Sequence, residues 1–204
     1  MPSIQLNVVW AGIETPLKFK YLKYALKRFG NEVVKLGQTN LKDQKKNSTG
    51  NLSKSLNYKI ADNNADIVSI EFEAPNASYW KFVNWGVKGL ISSAKAPKSP
   101  FQFGSKNYEG TGTLRGGIDS WIKSKPISQW QSKKTGRFLS YKQMASMISR
   151  EVYLNGIAPS YFYSSAFERG WKRNIGKIED AVGEDYAVFT EGKMPPDIMV
   201  NLEI

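Results

Sequence analysis

Apolar side chains in this chain recur either every second position or every third and fourth, and that alternation predicts its strands and helices before any chemistry is considered. Ile4, Leu6, Val8 and Trp10 follow period two, the pattern of a half-buried strand. Thr15 before Pro16 is a helix start, with the hydroxyl as cap and the proline in the first turn. Leu22, Leu26, Phe29, Val33 and Leu36 then mark one face of a long helix, while Lys18, Lys20, Lys23, Lys27, Arg28 and Lys35 decorate mostly the others. After a polar, lysine-rich break, Ser48 or Thr49 introduces TGNLSKSLNYKI, with Leu52 and Leu56 one turn apart and a strand near Tyr58 to Ala61. Asp62 to Ala65 reads as a turn. Asp66 to Ala74 reads as the partner strand, with Val68, Ile70, Phe72 and Ala74 on one face and Ser69, Glu71 and Glu73 on the other.

In the second half, Asn76 to Trp85 predicts a short aromatic helix ended by Gly86, and Val87 to Thr113 a long aperiodic loop. Gly116-Gly117 precede a short helix bearing Ile118, Trp121 and Ile122, stopped by Pro126. Ser140 with Gln143 forms a capping box for a helix through Tyr153. Gly156 is expected in the left-handed conformation that ends this helix, Pro159 prevents its continuation, and Ser160 or its neighbours start the next. That helix carries Tyr161, Phe162, Tyr163, Phe167 and Trp171 and extends through Ile175, Ile178 and Val182. From Glu179 the chain turns acidic, and Ile198, Val200, Leu202 and Ile204 form an alternating terminal segment behind Pro195-Pro196. Such a segment either returns to its own sheet or completes a neighbour's. The fold class expected is α+β, a small antiparallel sheet packed with two long helices, short helices and an extended loop insertion. Residues 1–182 form one domain with 87–113 as its insertion, and 183–204 form an acidic extension.

Composition narrows the chemistry. The 204 residues include no cysteine and no histidine, which removes thiol nucleophiles, disulfides, the usual zinc sites and imidazole catalysis. No apolar run approaches the roughly 20 residues that span a bilayer, so a soluble protein without membrane contact is expected. The net charge of +11 is segregated. Residues 1–60 carry eleven basic and three acidic side chains, 111–150 carry eight and one, and 151–204 carry five and nine. Such segregation suits phosphate contact and head-to-tail assembly equally. Glu71 and Glu73 share a face but read as solvated carboxylates rather than an acid-base or metal pair. Asp185 with Glu191 and Lys193 loosely matches a nuclease constellation, yet Gly192 and its loop lack the rigid strand such a site needs. No catalytic residue, cofactor or metal ligand is assigned.

The order of elements carries more information than any one of them. A long N-terminal helix, TGNLSKSLNYKI entering a hairpin, YWKFVNWGVKG ending in glycine, GGIDSWIKSK before a polar loop, and a helix leading through NGIAPSYFYSSAF follow one another over roughly residues 15 to 175. In that order the chain resembles the tail-completion, or neck, proteins of tailed bacteriophages. The longer basic loop after Val87 and the acidic end depart from the family pattern. The resemblance implies a non-enzymatic virion protein, assembled in the host cytoplasm as a homo-oligomeric ring between portal or adaptor and tail, around DNA. Interface candidates are then Tyr79, Trp80, Trp85, Tyr161, Tyr163 and Trp171, with Ile198, Val200, Leu202 and Ile204 as an inter-subunit tail. Phe82, Phe162 and Phe167 are expected in the core. Lys42, Lys45, Lys46, Lys95, Lys98, Lys133, Lys134 and Arg137 are candidates for facing DNA or an acidic neighbour. A rival reading is a single-stranded or non-specific DNA-binding module. In WIKSKPISQWQSKKTGRFLSYK, Trp121, Trp130, Phe138 and Tyr141 alternate with cations as a stacking platform would.

Overall fold

Val68, Ile70, Phe72 and Ala74, the apolar alternates of the expected hairpin, are all buried. They belong to a computed structural model describing residues 4–10, 19–46, 50–64, 67–104, 114–124, 127–189 and 198–203. Thr15, Pro16, Ser48, Thr49, Pro126, Glu191, Lys193, Pro195, Pro196 and Ile204 lie outside the described residues. The chain divides into two compact units, one of Met1–Ser78 with Tyr161–Ile204 and one of Tyr79–Ser160, a division inside the stretch 1–182 expected as one domain.

The first unit holds the sheet. Strands β1 (Ile4–Trp10), β2 (Asn57–Asn64), β3 (Ile67–Glu73) and β4 (Ile198–Glu203) lie in the order β2-β3-β1-β4, all neighbours antiparallel. Register sets Ile4, Leu6 and Val8 opposite Phe72, Ile70 and Val68, and Val8 and Leu6 opposite Val200 and Leu202. The terminal segment therefore completes its own sheet, the first of the two paths its sequence allowed. β3 is flanked on both sides, so Ser69 is buried although it alternates with the apolar set.

Helices α1 (Lys20–Asp43), α2 (Asn51–Ser55) and α6 (Ser164–Phe189) complete this unit. α6 thus takes in the first residues of the acidic extension. Leu22, Leu26, Phe29, Val33 and Leu41 are buried along α1, and Phe167, Ile178 and Val182 along α6. Glycine permits the close approach of the helices, because a Cβ on Gly170 would stand 2.7 Å from Val33 Cγ2. The core is an aromatic cluster in which Phe29, Phe72 and Phe167 meet edge to face at 5.5–5.7 Å between centroids. Truncating one of them would cost roughly 3–5 kcal/mol.

Each end of α1 has its own closure. Phe19 gives no side-chain cap at the N-terminus; instead the Asp185 carboxylate of α6 accepts the amides of Lys20, Tyr21 and Leu22 at 2.9, 3.0 and 2.7 Å. At the other end Lys46 N–H donates to Leu41 O at 2.9 Å and Lys45 N–H to Lys42 O at 3.0 Å, a Schellman closure with Lys45 at φ 54°. Between them Glu32 of α1 accepts from Asn174 Nδ2 at 2.8 Å and Arg173 Nη1 at 3.1 Å of α6. The Asn174 hydrogen bond, and then Arg173, hold the Glu32 carboxyl below its ordinary range against an opposing effect of burial.

The second unit comprises α3 (Trp80–Trp85), α4 (Leu114–Ser124), α5 (Tyr141–Asn155) and their connections. Gly116 and Gly117 lie inside α4 rather than ahead of it. Ile122, Met144 and Ala145 form a small core between α4 and α5, with Ile118, Ile127, Leu139 and Ile148 packed on it. The Ser140–Gln143 capping box is present, with Ser140 N–H donating to Gln143 Oε1 at 2.9 Å and Gln143 N–H to Ser140 Oγ at 3.3 Å. Among the described residues no helix is long and apolar enough to cross a membrane.

Candidate assembly surface

Three glycines set the geometry of the second unit. Gly86 and Gly156 have φ of 72° and 81° with ψ near 180°, a region essentially reserved for glycine. The left-handed cap expected at Gly156 is replaced by this extended form because the chain leaving α5 pairs with another segment. Val87 N–H donates to Ile157 O at 2.9 Å and Ile157 N–H to Val87 O at 2.8 Å. A Cβ on Gly156 would stand 2.3 Å from Val87 O, one on Gly86 2.5 Å from Ile157 O, and one on Gly89 2.1 Å from Leu154 O. Backbone meets backbone along this seam.

The seam also orders the start of the expected aperiodic loop. Leu90 and Ile91 N–H donate to Tyr153 and Leu154 O at 2.9 and 3.1 Å, satisfying carbonyls in the last turn of α5. Lys88 N–H donates to Phe101 O at 2.8 Å, and Ser99 Oγ–H to Gly86 O at 2.8 Å. Ser160 does not start α6. Its hydroxyl donates to Val83 O at 2.7 Å, and Tyr161, at φ 48°, instead supplies the carbonyl that accepts Ser165 N–H at 2.9 Å.

This geometry sorts the interface candidates. Tyr79 is 45% exposed, Tyr161 is exposed, and Trp85 and Trp171 are half-buried. Trp80 and Tyr163 are buried and are core residues, a correction to their place among interface anchors. Tyr163 lies against Phe72 at 5.6 Å, its hydroxyl donates to Asn57 O at 2.9 Å, and burial and then the Glu73 charge push its phenol far above the ordinary range. Phe162 and Phe167 are buried as expected, but Phe82 is 44% exposed because α3 seats only part of its ring, edge to face on Phe101 at 4.7 Å. Ile91, at 71% exposure, together with Leu90 and Met147 adds apolar surface that the sequence did not single out. An apolar pair within a polar loop was the available signal for Leu90 and Ile91.

The basic candidates are all exposed, but they differ in setting. Lys95 pairs with Glu151 at 3.2 Å, and hydrogen bonds from Asn155 and then Lys95 hold the Glu151 carboxyl below its usual range. Lys42 lies in the last turn of α1, where a cation suits the helix dipole, and Lys45 and Lys46 close that helix. Lys98 sits in a turn, and Lys133, Lys134 and Arg137 surround the tip of a small hairpin closed by the Gln131–Phe138 bridge. Asp185, considered for a nuclease constellation, is buried and occupied by three backbone amides, so its carboxylate is a structural cap. In the first unit, Tyr21, Tyr24, Arg28, Lys177 and Glu184 line an open cleft of about 210 Å³ between α1 and α6. Comparison with models of protein families, with curated proteins and with solved structures finds no match to this chain.

Proposed function

We propose that this chain is a non-enzymatic ring subunit of the neck of a tailed bacteriophage, joining portal or adaptor to tail around the DNA channel. The observation that carries the reading is the backbone seam. YWKFVNWGVKG and NGIAPSYFYSSAF, two of the segments on which the resemblance to tail-completion proteins rests, are distant in sequence yet supply the two sides of one structure through Val87 and Ile157. Their glycines are explained by that pairing, since no other residue fits. Two motifs that depend on each other sterically support a common origin better than two independent matches.

A ring needs a heterologous contact that repeats until it closes, with further surfaces for unlike neighbours above and below. Tyr79, Phe82, Ile91, Met147 and Tyr161 provide exposed apolar area for such contacts. The basic 111–150 segment and the acidic end provide opposite charges that favour one orientation of neighbours. Assembly would occur in the host cytoplasm, and the subunit would remain in the virion. The test is inactivation of its gene in the phage that encodes it. Filled heads and finished tails that fail to join, and that join when the chain is supplied in trans, are the expected result. Fully joined particles lacking this chain would overturn the proposal.

A further inference from the structure

Every aromatic side chain between 114 and 141 is exposed, whereas Phe162, Tyr163 and Phe167 are wholly buried. The contrast singles out the segment joining α4 to α5. It is a built hairpin: Leu139 N–H donates to Trp130 O at 2.8 Å, Ser132 N–H to Arg137 O at 2.8 Å and Gly136 N–H to Ser132 O at 2.8 Å. Gly136 takes φ 69° at the tip, and Gln131 Nε2 donates to its carbonyl at 2.7 Å. Leu139 and Ile127 anchor the base on the Ile122, Met144 and Ala145 core. Phe138, at 68% exposure, pairs across the bridge with Gln131, so strand alternation puts it on the face opposite to Leu139. Phe138 is thus held away from the core of its own unit on an ordered scaffold, with most of its surface left to solvent.

Its flanks are cationic. Lys133, Lys134 and Arg137 are exposed and form no ion pair among the described residues, and segment 111–150 holds one acidic residue, Asp119, which is engaged by Lys123. We propose that hairpin 130–139 binds single-stranded nucleic acid, with Lys133, Lys134 and Arg137 on phosphates and Phe138 stacked on a base. Cations alone would suit duplex DNA or an acidic protein. The exposed Phe138 decides for a single strand, because a base offers its flat face only when it is unstacked from a duplex. The inference stands independently of ring formation.

Fluorescence anisotropy of the full chain tests it, with an oligothymidylate, an abasic strand of equal length and a duplex as probes, and polyglutamate as competitor. Oligothymidylate should bind about tenfold more tightly than the abasic strand, the difference being the stacked base. Phe138→Ala should remove that difference, and Phe138→Trp should restore it. The exposure of Phe138 leaves the fold intact in both variants, which circular dichroism checks. Replacing Lys133, Lys134 and Arg137 by alanine should reduce the slope of log affinity against log salt by about 2. Equal binding of the abasic strand or duplex, equal displacement by polyglutamate, or no binding at low salt would each overturn the proposal.

Discussion

Asp185 Oδ2 accepts the Leu22 amide at 2.7 Å across 163 residues of sequence, tying α6 to the start of α1. The other oxygen takes the amides of Lys20 and Tyr21, so one buried carboxylate satisfies three of the four amides a helix start leaves unpaired. Asp185→Ala should lower stability by about 2–3 kcal/mol, combining a lost cap with buried donors left unsatisfied. Asp185→Asn should recover part of this, since its amide oxygen still accepts. Urea unfolding midpoints followed by circular dichroism measure both; an unchanged midpoint for the alanine variant would remove the cap from the stability of the first unit.

Gly156→Ala and Gly86→Ala should each cost at least about 2 kcal/mol, because φ is unfavourable and the added carbon meets backbone oxygens that cannot move aside. Gly176→Ala is the control. It lies in α6 with nothing within 4 Å of an added Cβ, and should stabilise by about 0.5–1 kcal/mol. Thermal unfolding of the three variants separates the seam from a general intolerance of alanine.

Lys45 occupies the left-handed position of a Schellman closure, where glycine is usual. Lys45→Gly should therefore stabilise the chain by about 1 kcal/mol. If the midpoint of urea unfolding falls instead, the Lys45 side chain contributes more to folding than its exposed position suggests.

Tyr163 gives a pH dependence with a definite sign. Its folded pKa lies above the ordinary 10.0, so below that value folded and unfolded chains hold the same proton and the stability is fully present. Above it the unfolded chain releases a proton that the folded chain keeps, and stability falls as pH rises toward the folded pKa. Tyr163→Phe cannot ionise, but loses the hydrogen bond to Asn57 O, worth about 1 kcal/mol. The parent should be the more stable at neutral pH, and its advantage should shrink above about pH 10. Parallel pH profiles for the two proteins would contradict this. The raised pKa of Tyr58, also due to burial, is common to both and cancels.

The sequence made the periodic parts of this fold legible. Val68, Ile70 and Phe72 announced a buried strand face, Leu22, Leu26, Phe29 and Val33 a helix stripe, and Ser140 with Gln143 a cap that is local by nature. What stayed hidden depends on partners far along the chain. Gly156 reads locally as a helix stop, and only Val87 explains its extended ψ. Asp185 offers no local pattern, because the amides it holds belong to another helix. Tyr161 and Tyr163 are indistinguishable by composition, yet the turn at Tyr161 leaves one exposed and sends the other into the aromatic core. Phe138 and its cations were visible as a composition, while the hairpin that orders them was not.

Self-assembly is the property on which the proposed function depends most. Native mass spectrometry of the full chain, across a range of protein concentration and on material released from particles, measures it directly. A ring subunit should give one discrete closed multiple of the 23.0 kDa protomer, with cross-links joining the basic loops outside the hairpin of one copy to the acidic end of the next. A 23.0 kDa monomer at every concentration and in particle-derived material, without such cross-links, would contradict it.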